Sequence, residues 1–230
     1  MKQIDIIRIE NGQRRPMKDY IIREVSLSLV INGQDPILLP CSGWHVNELI
    51  TGYLYTNGYI NAPGDIHSLD YDMGDQTAHI SLEKNSLFPD DIQPGERLQL
   101  PAASILKWME EFSGLSEIFQ KTGAVHTAAV AGKSGIIKHF EDISRHNAIE
   151  MLIGWSLMQN ETLHNKCLLL SCRISSSIIN KAVVAGFPMI VSTSPPTDQA
   201  LDIAREQDIA LAGFVREGRM NVYCGAESFS

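Results

Sequence analysis

Apolar and polar residues alternate along the first hundred residues mainly with the period of β-strands. In IREVSLSLV (22–30), valine and leucine alternate with serine, which is the pattern of a half-buried strand. Asn32-Gly33 then favours a hairpin turn, because both residues tolerate a positive φ, and PILLP (36–40) is the predicted returning strand. Between residues 46 and 54 the apolar spacing changes to that of one helix face, which predicts a helix ending near Asn57-Gly58.

Beyond residue 101 the chain alternates between apolar strand patterns and amphipathic helix patterns. A helix is predicted from Ser104 to about Lys121, and strands and helices then follow one another to the C-terminus. This alternation predicts βαβ units, an α/β fold with helices on both faces of a mixed or parallel sheet. We therefore expect a smaller β-rich N-terminal region with one helix at 1–100 and an α/β core at 101–230, with a proline-rich junction at 84–101.

The composition is that of an acidic, globular chain. There are 19 Lys and Arg against 27 Asp and Glu, a formal net charge of −8, which argues against a basic groove for nucleic acid. No run approaches the ~20 apolar residues of a membrane span, and the N-terminus lacks the apolar stretch of a signal peptide. Four scattered cysteines do not make a disulfide framework. We expect a soluble cytoplasmic protein with reduced thiols that binds neither nucleic acid nor membrane.

Common catalytic motifs are absent from the sequence. Neither G-x-x-x-x-G-K-[ST] nor G-x-G-x-x-G occurs, which argues against a conventional kinase, GTPase or Rossmann dehydrogenase. His139-Phe140-Glu141 matches half of the zinc deaminase signature, but the P-C-x-x-C half that would supply two thiolate ligands is missing. We therefore expect no metal site, and we interpret His139 as a residue at a strand edge.

Three polar clusters interrupt the otherwise apolar second half. They are 141–147, 171–175 and 214–219, and each follows a predicted strand. In open α/β sheets, ligands bind beyond the carboxyl ends of the strands. The four arginines of these clusters would form an anion-binding surface, because guanidinium groups and helix N-termini both suit phosphate. The alternative is that each arginine is a surface residue paired with a nearby acid. The four are Arg145, Arg173, Arg216 and Arg219.

These clusters, in this order, resemble the formate dehydrogenase accessory sulfurtransferase (FdhD-type) family. The resemblance extends over nearly the whole chain and is strongest in its C-terminal motifs. It is carried by TGAVHTAAV (122–130), EDISRHNAIE (141–150), LLLSCRISSSIINKAVVAG (168–186) and STSPPTDQALDIAREQDIALAGFVREGRMNVY (192–223).

The resemblance implies a fold, a cargo and partners. It implies a cytidine-deaminase-like α/β/α layered core and a homodimer. Family members take sulfur from a cysteine desulfurase and pass it to the molybdenum cofactor, in its bis-molybdopterin guanine dinucleotide form, before insertion into formate dehydrogenase. The stretch that matches 214–219 is where members bind that cofactor. The candidate cofactor-binding residues are therefore Phe214, Val215, Arg216, Glu217, Gly218, Arg219, Arg145, His146 and Arg173.

The chain departs from the family at the sulfur-carrying motif. Members carry a persulfide on a C-x-x-C loop ahead of the TGAVH-like segment, but residues 84–119 contain no cysteine here. Cys172, next to Arg173 at a predicted helix start, is the best substitute, since a cation and a helix N-terminus would lower its pKa. Two hypotheses follow. The chain is either a sulfurtransferase with an unconventional thiol or a cofactor-binding chaperone that moves no sulfur.

Overall fold

The structure is a computed structural model that describes residues 1–83 and 97–230. Most of the predicted junction at 84–101 lies outside the described residues. The strands are β1 (Lys2–Glu10), β2 (Gln13–Ile21), β3 (Val25–Ile31), β4 (Ile37–Cys41), β5 (Ile66–Asp72), β6 (Thr77–Leu82), β7 (His126–Gly132), β8 (Gly135–Asp142), β9 (Cys167–Leu170), β10 (Met189–Ser192), β11 (Ala210–Arg216) and β12 (Arg219–Cys224). The α-helices are α1 (Val46–Thr56), α2 (Ala102–Leu115), α3 (Glu117–Thr122), α4 (Arg145–Gln159), α5 (Ser176–Val184) and α6 (Asp198–Glu206).

A six-stranded mixed sheet organises the second half, in the order β12-β11-β10-β9-β7-β8. Strands β9, β10 and β11 run parallel, whereas β7 is antiparallel to both β8 and β9, so β8 points the same way as β9. The carboxyl ends of β8, β9, β10 and β11 therefore meet at one end of the sheet, together with the starts of β7 and β12. We call this end of the sheet the carboxyl edge.

Helices cover both faces of this sheet, which confirms the predicted α/β fold. On one face, Trp108 and Phe112 of α2 share a core with Leu169 and Val191 of the sheet. On the other face, α4, α5 and α6 pack through buried side chains such as Ile149 against the opposite side of the same strands. Successive side chains of a strand point to opposite faces of the sheet. Because helices cover both faces, every residue of an apolar run such as 167–170 is buried.

The first half builds a four-stranded sheet in the order β4-β3-β6-β5 and a separate β1-β2 hairpin. The predicted pairing of β3 with β4 is confirmed, β5 pairs with β6, and a parallel β3–β6 pairing joins the two pairs. Leu29 of β3 and Leu49 of α1 lie in the same apolar core as Ile149 of α4. The division at residue 100 stays a prediction.

Helices α1 and α4 cross at very close range, which brings the two halves together. A Cβ atom on Gly154 would lie 1.9 Å from the carbonyl oxygen of Glu48, and one on Gly52 would lie 1.8 Å from that of Glu150. Only glycine at both positions permits the backbones to approach this closely. The crossing therefore depends on two residues without side chains.

The helix predicted from Ser104 to Lys121 is in fact two helices. The chain turns at Ser116, whose hydroxyl accepts a hydrogen bond from the Phe119 amide at 3.0 Å and donates one to the Glu141 carboxylate. Serine competes with the helical backbone for hydrogen bonds, so it ends α2 and caps α3. The break turns α3 towards the carboxyl edge.

Candidate functional site

A buried carboxylate fixes the start of α4 at the carboxyl edge. Asp142 is fully buried and accepts hydrogen bonds from the Ser42 amide at 2.8 Å, the Ser42 hydroxyl at 2.6 Å, the Ser144 amide at 2.9 Å and the Asn147 side chain at 2.8 Å. Buried charge is tolerated only when it is hydrogen-bonded in this way. The network joins the end of β4 to the β8–α4 junction and so positions Arg145.

Arg145, the first residue of α4, is half-buried and has no acidic partner among the described residues. A cation is unfavourable there, because the helix dipole is positive at the N-terminus. Its charge adds to burial in lowering the pKa of both His126 and His146, so both imidazoles are neutral at neutral pH. This corner of the carboxyl edge therefore holds both the Arg145 guanidinium and the buried Asp142 carboxylate, which form no ion pair with each other.

Cys172 follows β9 beside this charge, but its thiol is buried. Burial raises its pKa to about 11, although Arg145 and Arg173 act in the opposite direction. The expectation of a lowered pKa is therefore wrong in its net direction, because desolvation outweighs both cations. The backbone is also held in place, since the Ser192 hydroxyl donates to the Cys172 carbonyl at 2.7 Å. Arg173 is exposed and forms no salt bridge within the described residues.

The 214–219 cluster lies inside the β11–β12 hairpin, whereas the sequence pattern suggested a stretch following a strand. Phe214 has φ of 52°, which is a strained value for a bulky side chain, at an irregularity in the strand pairing. Glu217 and Gly218 both have positive φ and form the tight turn that places Arg216 opposite Arg219. The Arg216 guanidinium lies 5.8 Å from the Phe214 ring centroid.

Two cavities lie along α2 and share Ser113. The larger, about 510 Å³, runs between α2 and the β11–β12 turn, and its lining includes two cations and two acids, Lys107, Arg216, Glu110 and Glu217. The Val215 side chain is 1% exposed, so it forms part of the cavity floor. The smaller, about 260 Å³, lies where β7, β9 and β10 reach the carboxyl edge, and is lined in part by His126.

The structure thus brings the four predicted arginines to one edge of the sheet, in two groups. Arg145 and Arg173 both act on Cys172 at the end of β9, while Arg216 and Arg219 project from β11 and β12. Strand β10 lies between β9 and β11 in the sheet and so separates the two groups. None of the four has an ion-pair partner within the described ranges, and the anion-binding surface stays a prediction.

Sequence reasoning missed the residues that support these arginines. Ser42 lies 100 residues from Asp142 and has no local signal that marks it as a partner. The smaller cavity depends on the break at Ser116, which a single predicted helix does not contain. Its aromatic walls, Phe112 and Phe119, looked like ordinary helix residues.

Neither a metal cluster nor a membrane span is found in the described part of the chain. Within 1–83 and 97–230, no three His, Cys, Asp or Glu side chains are grouped so as to hold a metal ion. No helix among these residues has the length and apolar character needed to cross a membrane.

Comparison with known proteins assigns the family. The model of the FdhD/NarQ family matches residues 22–93 and 88–230. The chain belongs to the FdhD/NarQ family, which confirms the resemblance seen in the sequence motifs.

Similar proteins of known name and known structure agree with this assignment. The sulfur carrier protein FdhD of Shouchella clausii (strain KSM-K16) is 32% identical over 247 residues, covering 95% of this chain and 92% of that protein. The sulfur carrier protein FdhD of Listeria innocua is 30% identical over 248 residues, covering 96% and 95%. A crystal structure from Desulfotalea psychrophila, assigned as a formate dehydrogenase accessory protein, has a TM-score of 0.87 at 20% identity and covers 100% of this chain and 99% of that chain. At that identity the structural likeness shows the shared α/β fold alone.

Proposed function

We propose that this protein is an accessory factor for formate dehydrogenase maturation that binds the molybdenum cofactor, in its bis-molybdopterin guanine dinucleotide form, at the carboxyl edge. The names of the relatives support the accessory role. The cofactor is cargo here, destined for the formate dehydrogenase apoenzyme. We expect the chain to act as a homodimer in the cytoplasm and to meet a cysteine desulfurase.

The observation that carries this proposal is the positive charge at the carboxyl edge that has no ion-pair partner among the described residues. Arg145 occupies a helix N-terminus, where its own charge and the helix dipole repel each other. An anion bound there would be stabilised by both, through charge-assisted hydrogen bonds and backbone amides. Arg216 and Arg219 offer a second cationic group on the β11–β12 turn. A ligand with separated pyrophosphate groups fits this arrangement of donors.

Within the proposed role, the thiol chemistry favours binding over sulfur transfer. No cysteine lies between Cys41 and Cys167, so the segment that carries the persulfide in the resembling family has none here. The remaining candidate, Cys172, has a pKa of about 11. About one molecule in ten thousand would hold it as the nucleophilic thiolate at neutral pH. We therefore propose a chaperone for the cofactor, with sulfur transfer by this chain as the second candidate.

The two candidates are separated by loading the full chain with sulfur. The protein is incubated with a cysteine desulfurase and sulfur-labelled cysteine, and bound label is measured before and after treatment with a thiol. The chaperone hypothesis predicts no thiol-removable label. Label that disappears in Cys172→Ala but persists in Cys224→Ala would establish the sulfurtransferase instead.

The cofactor itself is tested by mass spectrometry of the purified protein. Co-purified molybdopterin or guanine nucleotide is expected from cells that make the cofactor. The matched control is the Arg145→Met/Arg216→Ala/Arg219→Ala variant, which should retain less of either compound. Equal retention by the variant would contradict binding at the carboxyl edge.

A further inference from the structure

The β1–β2 hairpin at the start of the chain belongs to neither of the two larger sheets. It forms a two-stranded sheet of its own, and among the described residues β1 pairs only with β2. A hairpin of two strands is at best marginally stable in water. The match to the family model begins at residue 22, after this hairpin has ended. The family assignment therefore leaves the hairpin without a role.

Strand β1 carries isoleucine on both of its faces. Ile4 and Ile6 lie on one face and are half-buried, whereas Ile7 and Ile9 lie on the other face and are 51% and 69% exposed. An antiparallel strand with one face in water ordinarily alternates between apolar and polar residues. Isoleucine on both faces indicates a strand that gains a further neighbour.

The two edges of the hairpin differ in their capacity to pair with another strand. The turn at 11–12 has positive φ at both positions, so Glu10 and Gln13 close it as a hydrogen-bonded pair. Hydrogen-bonded and open pairs then alternate, so the backbone groups of Ile7 and Pro16 point outward. Because Pro16 has no N–H, the β2 edge lacks a donor there. The β1 edge contains no proline.

The sequence of β1 is complementary to a second copy of itself in antiparallel alignment. Full overlap of its nine residues places Lys2 opposite Glu10 of the partner subunit, and Ile6 opposite Ile6 of the partner subunit. Ile7 then lies diagonal to the partner subunit's Ile7, within reach of side-chain contact. A shift by two residues would place Lys2 opposite Arg8 of the partner subunit or leave it without a neighbour. Charge therefore favours the register with full overlap.

The charges at the two ends of the hairpin also match in this alignment, which brings the tip of one hairpin to the base of the other. The tip carries Arg14 and Arg15, which form no ion pair among the described residues. The base lies beside the β5–β6 turn, since Lys2 lines one cavity with residues of that turn. Asp72 and Asp75 are exposed there. Strands β1 and β2 together hold five basic and three acidic residues, against 14 and 24 in the rest of the chain.

We propose that two copies of this chain associate through β1, which forms a continuous sheet in the order β2-β1-β1-β2 across a two-fold axis. Such a contact uses the same surface on both copies, so the assembly closes as a dimer. It stabilises the hairpin, because a sheet needs three or more strands for independent stability. The proposal rests on the homodimer expected under the proposed function, and it assigns that dimer a surface.

Proline substitutions on the two edges of the hairpin test this pairing in the full chain. Asp5→Pro removes an outward N–H from β1, and Lys18→Pro removes the outward N–H opposite it on β2. Both variants lose the same ion pair, between Lys18 and Asp5 at 3.6 Å, so they form a matched pair. In sedimentation equilibrium, Asp5→Pro should weaken the dimer by about tenfold or more, because each of two symmetric positions loses a hydrogen bond. Lys18→Pro should change it by less than about twofold. Equal dimer affinities in the two folded variants would overturn the proposal.

Disulfide trapping keeps the test decisive if a proline variant folds poorly. Ile6→Cys would lie about 4.5 Å, Cα to Cα, from the same residue of the partner subunit, a distance that a disulfide spans. Oxidised glutathione should then link two chains, as measured by non-reducing electrophoresis. Arg8→Cys is the control, because it would lie about 14 Å from its counterpart and should form no link. The wild-type chain controls for the native cysteines.

The outcomes separate this proposal from the proposed function. A dimer that survives Asp5→Pro and gives no link in Ile6→Cys would overturn pairing through β1, while the expectation of a homodimer would stand. A wild-type chain that stays monomeric at every concentration would overturn both. Retention of the cofactor is measured by mass spectrometry and does not depend on either result.

Discussion

Ionisable residues have opposite surroundings in two parts of helix α4. In the middle of α4, Glu150 is 2% exposed and is bound by the Lys181 ammonium at 2.6 Å and the Thr56 hydroxyl at 3.2 Å. At the start of α4, Arg145 has no acidic partner among the described residues and faces the positive end of the helix dipole. Within the described residues, charge is neutralised in the middle of α4, where the helix holds the fold together, and is left unpaired at Arg145.

The difference indicates which charges serve the fold and which serve a ligand. A charge retained for stability should be costly to remove. An unpaired charge placed against a helix dipole should cost stability while it is present and yield binding energy only when an anion arrives. The same helix therefore offers an internal comparison, in which the two kinds of residue are distinguished by the sign of the stability change on neutralisation.

The largest expected effect comes from breaking the buried pair. Lys181→Met should lower the free energy of unfolding by about 3–5 kcal/mol, because it leaves the Glu150 carboxylate buried without its cation. Denaturant unfolding followed by circular dichroism measures this. The double variant with Glu150→Gln removes the orphaned charge, and should recover a large part of the loss. A loss equally large in the double variant would mean that packing, rather than charge, is responsible.

The loss of unfolding free energy in Lys181→Met should depend on pH in a defined direction. Burial raises the pKa of Glu150 above its ordinary value, and Lys181 opposes this rise, so Lys181→Met should raise the pKa further. A group with a raised native pKa favours folding when protonated, and this contribution is lost as the pH increases through the native pKa. The gap in stability between wild type and Lys181→Met should therefore be greatest at neutral pH and shrink towards about pH 4. A gap that does not vary with pH would contradict the charge argument.

The glycine contact between α1 and α4 gives the next largest effect. Gly154→Ala should cost about 3 kcal/mol, the upper part of the range for overpacking, because the added Cβ would meet backbone atoms that cannot rotate away. Gly114→Ala in α2 is the matched control, since nothing lies within 4 Å of its added Cβ. That control should be neutral or stabilising by up to about 1 kcal/mol. Similar losses in both would show that α1 and α4 do not approach this closely.

The smallest effect has the opposite sign. Arg145→Met removes the charge while keeping an apolar stem, and should raise the free energy of unfolding by about 0.3–1 kcal/mol, because a cation at a helix N-terminus opposes the dipole. Arg205→Met is the control, since Arg205 lies in the last turn of α6 and pairs with Asp202 at 3.5 Å. Its removal should cost a similar small amount. A loss of stability in Arg145→Met would place Arg145 among the residues that serve the fold.

The sequence predicted the elements of the molecule better than the contacts between them. Apolar periodicity located the strand at 25–31 and the helix that begins at residue 46, because burial on one face leaves a local pattern. It also placed the arginines at one end of the sheet, since strand ends in an alternating α/β chain share an edge. These predictions depend on neighbours in sequence.

The features that the sequence did not predict depend on contacts between residues that are far apart in the chain. The pairing of Ser42 with Asp142 joins residues 100 apart, and no local pattern marks either as the other's partner. The pKa of Cys172 was predicted in the wrong direction, because adjacent Arg173 is visible in the sequence while burial of the thiol is not. The strained backbone of Phe214 likewise arises from strand pairing across the hairpin, so it could not be predicted from the residue itself.

The most direct measurement of the central claim is a calorimetric titration with GDP, which combines a purine ring with a diphosphate. The wild-type chain should bind GDP, and Arg216→Ala/Arg219→Ala should weaken binding by several kcal/mol, about 1.5–3 kcal/mol for each lost charge-assisted hydrogen bond. Adding Arg145→Met should weaken it further without loss of folding stability. Equal affinity for GDP in the wild type and in these variants would contradict an anion site at the carboxyl edge.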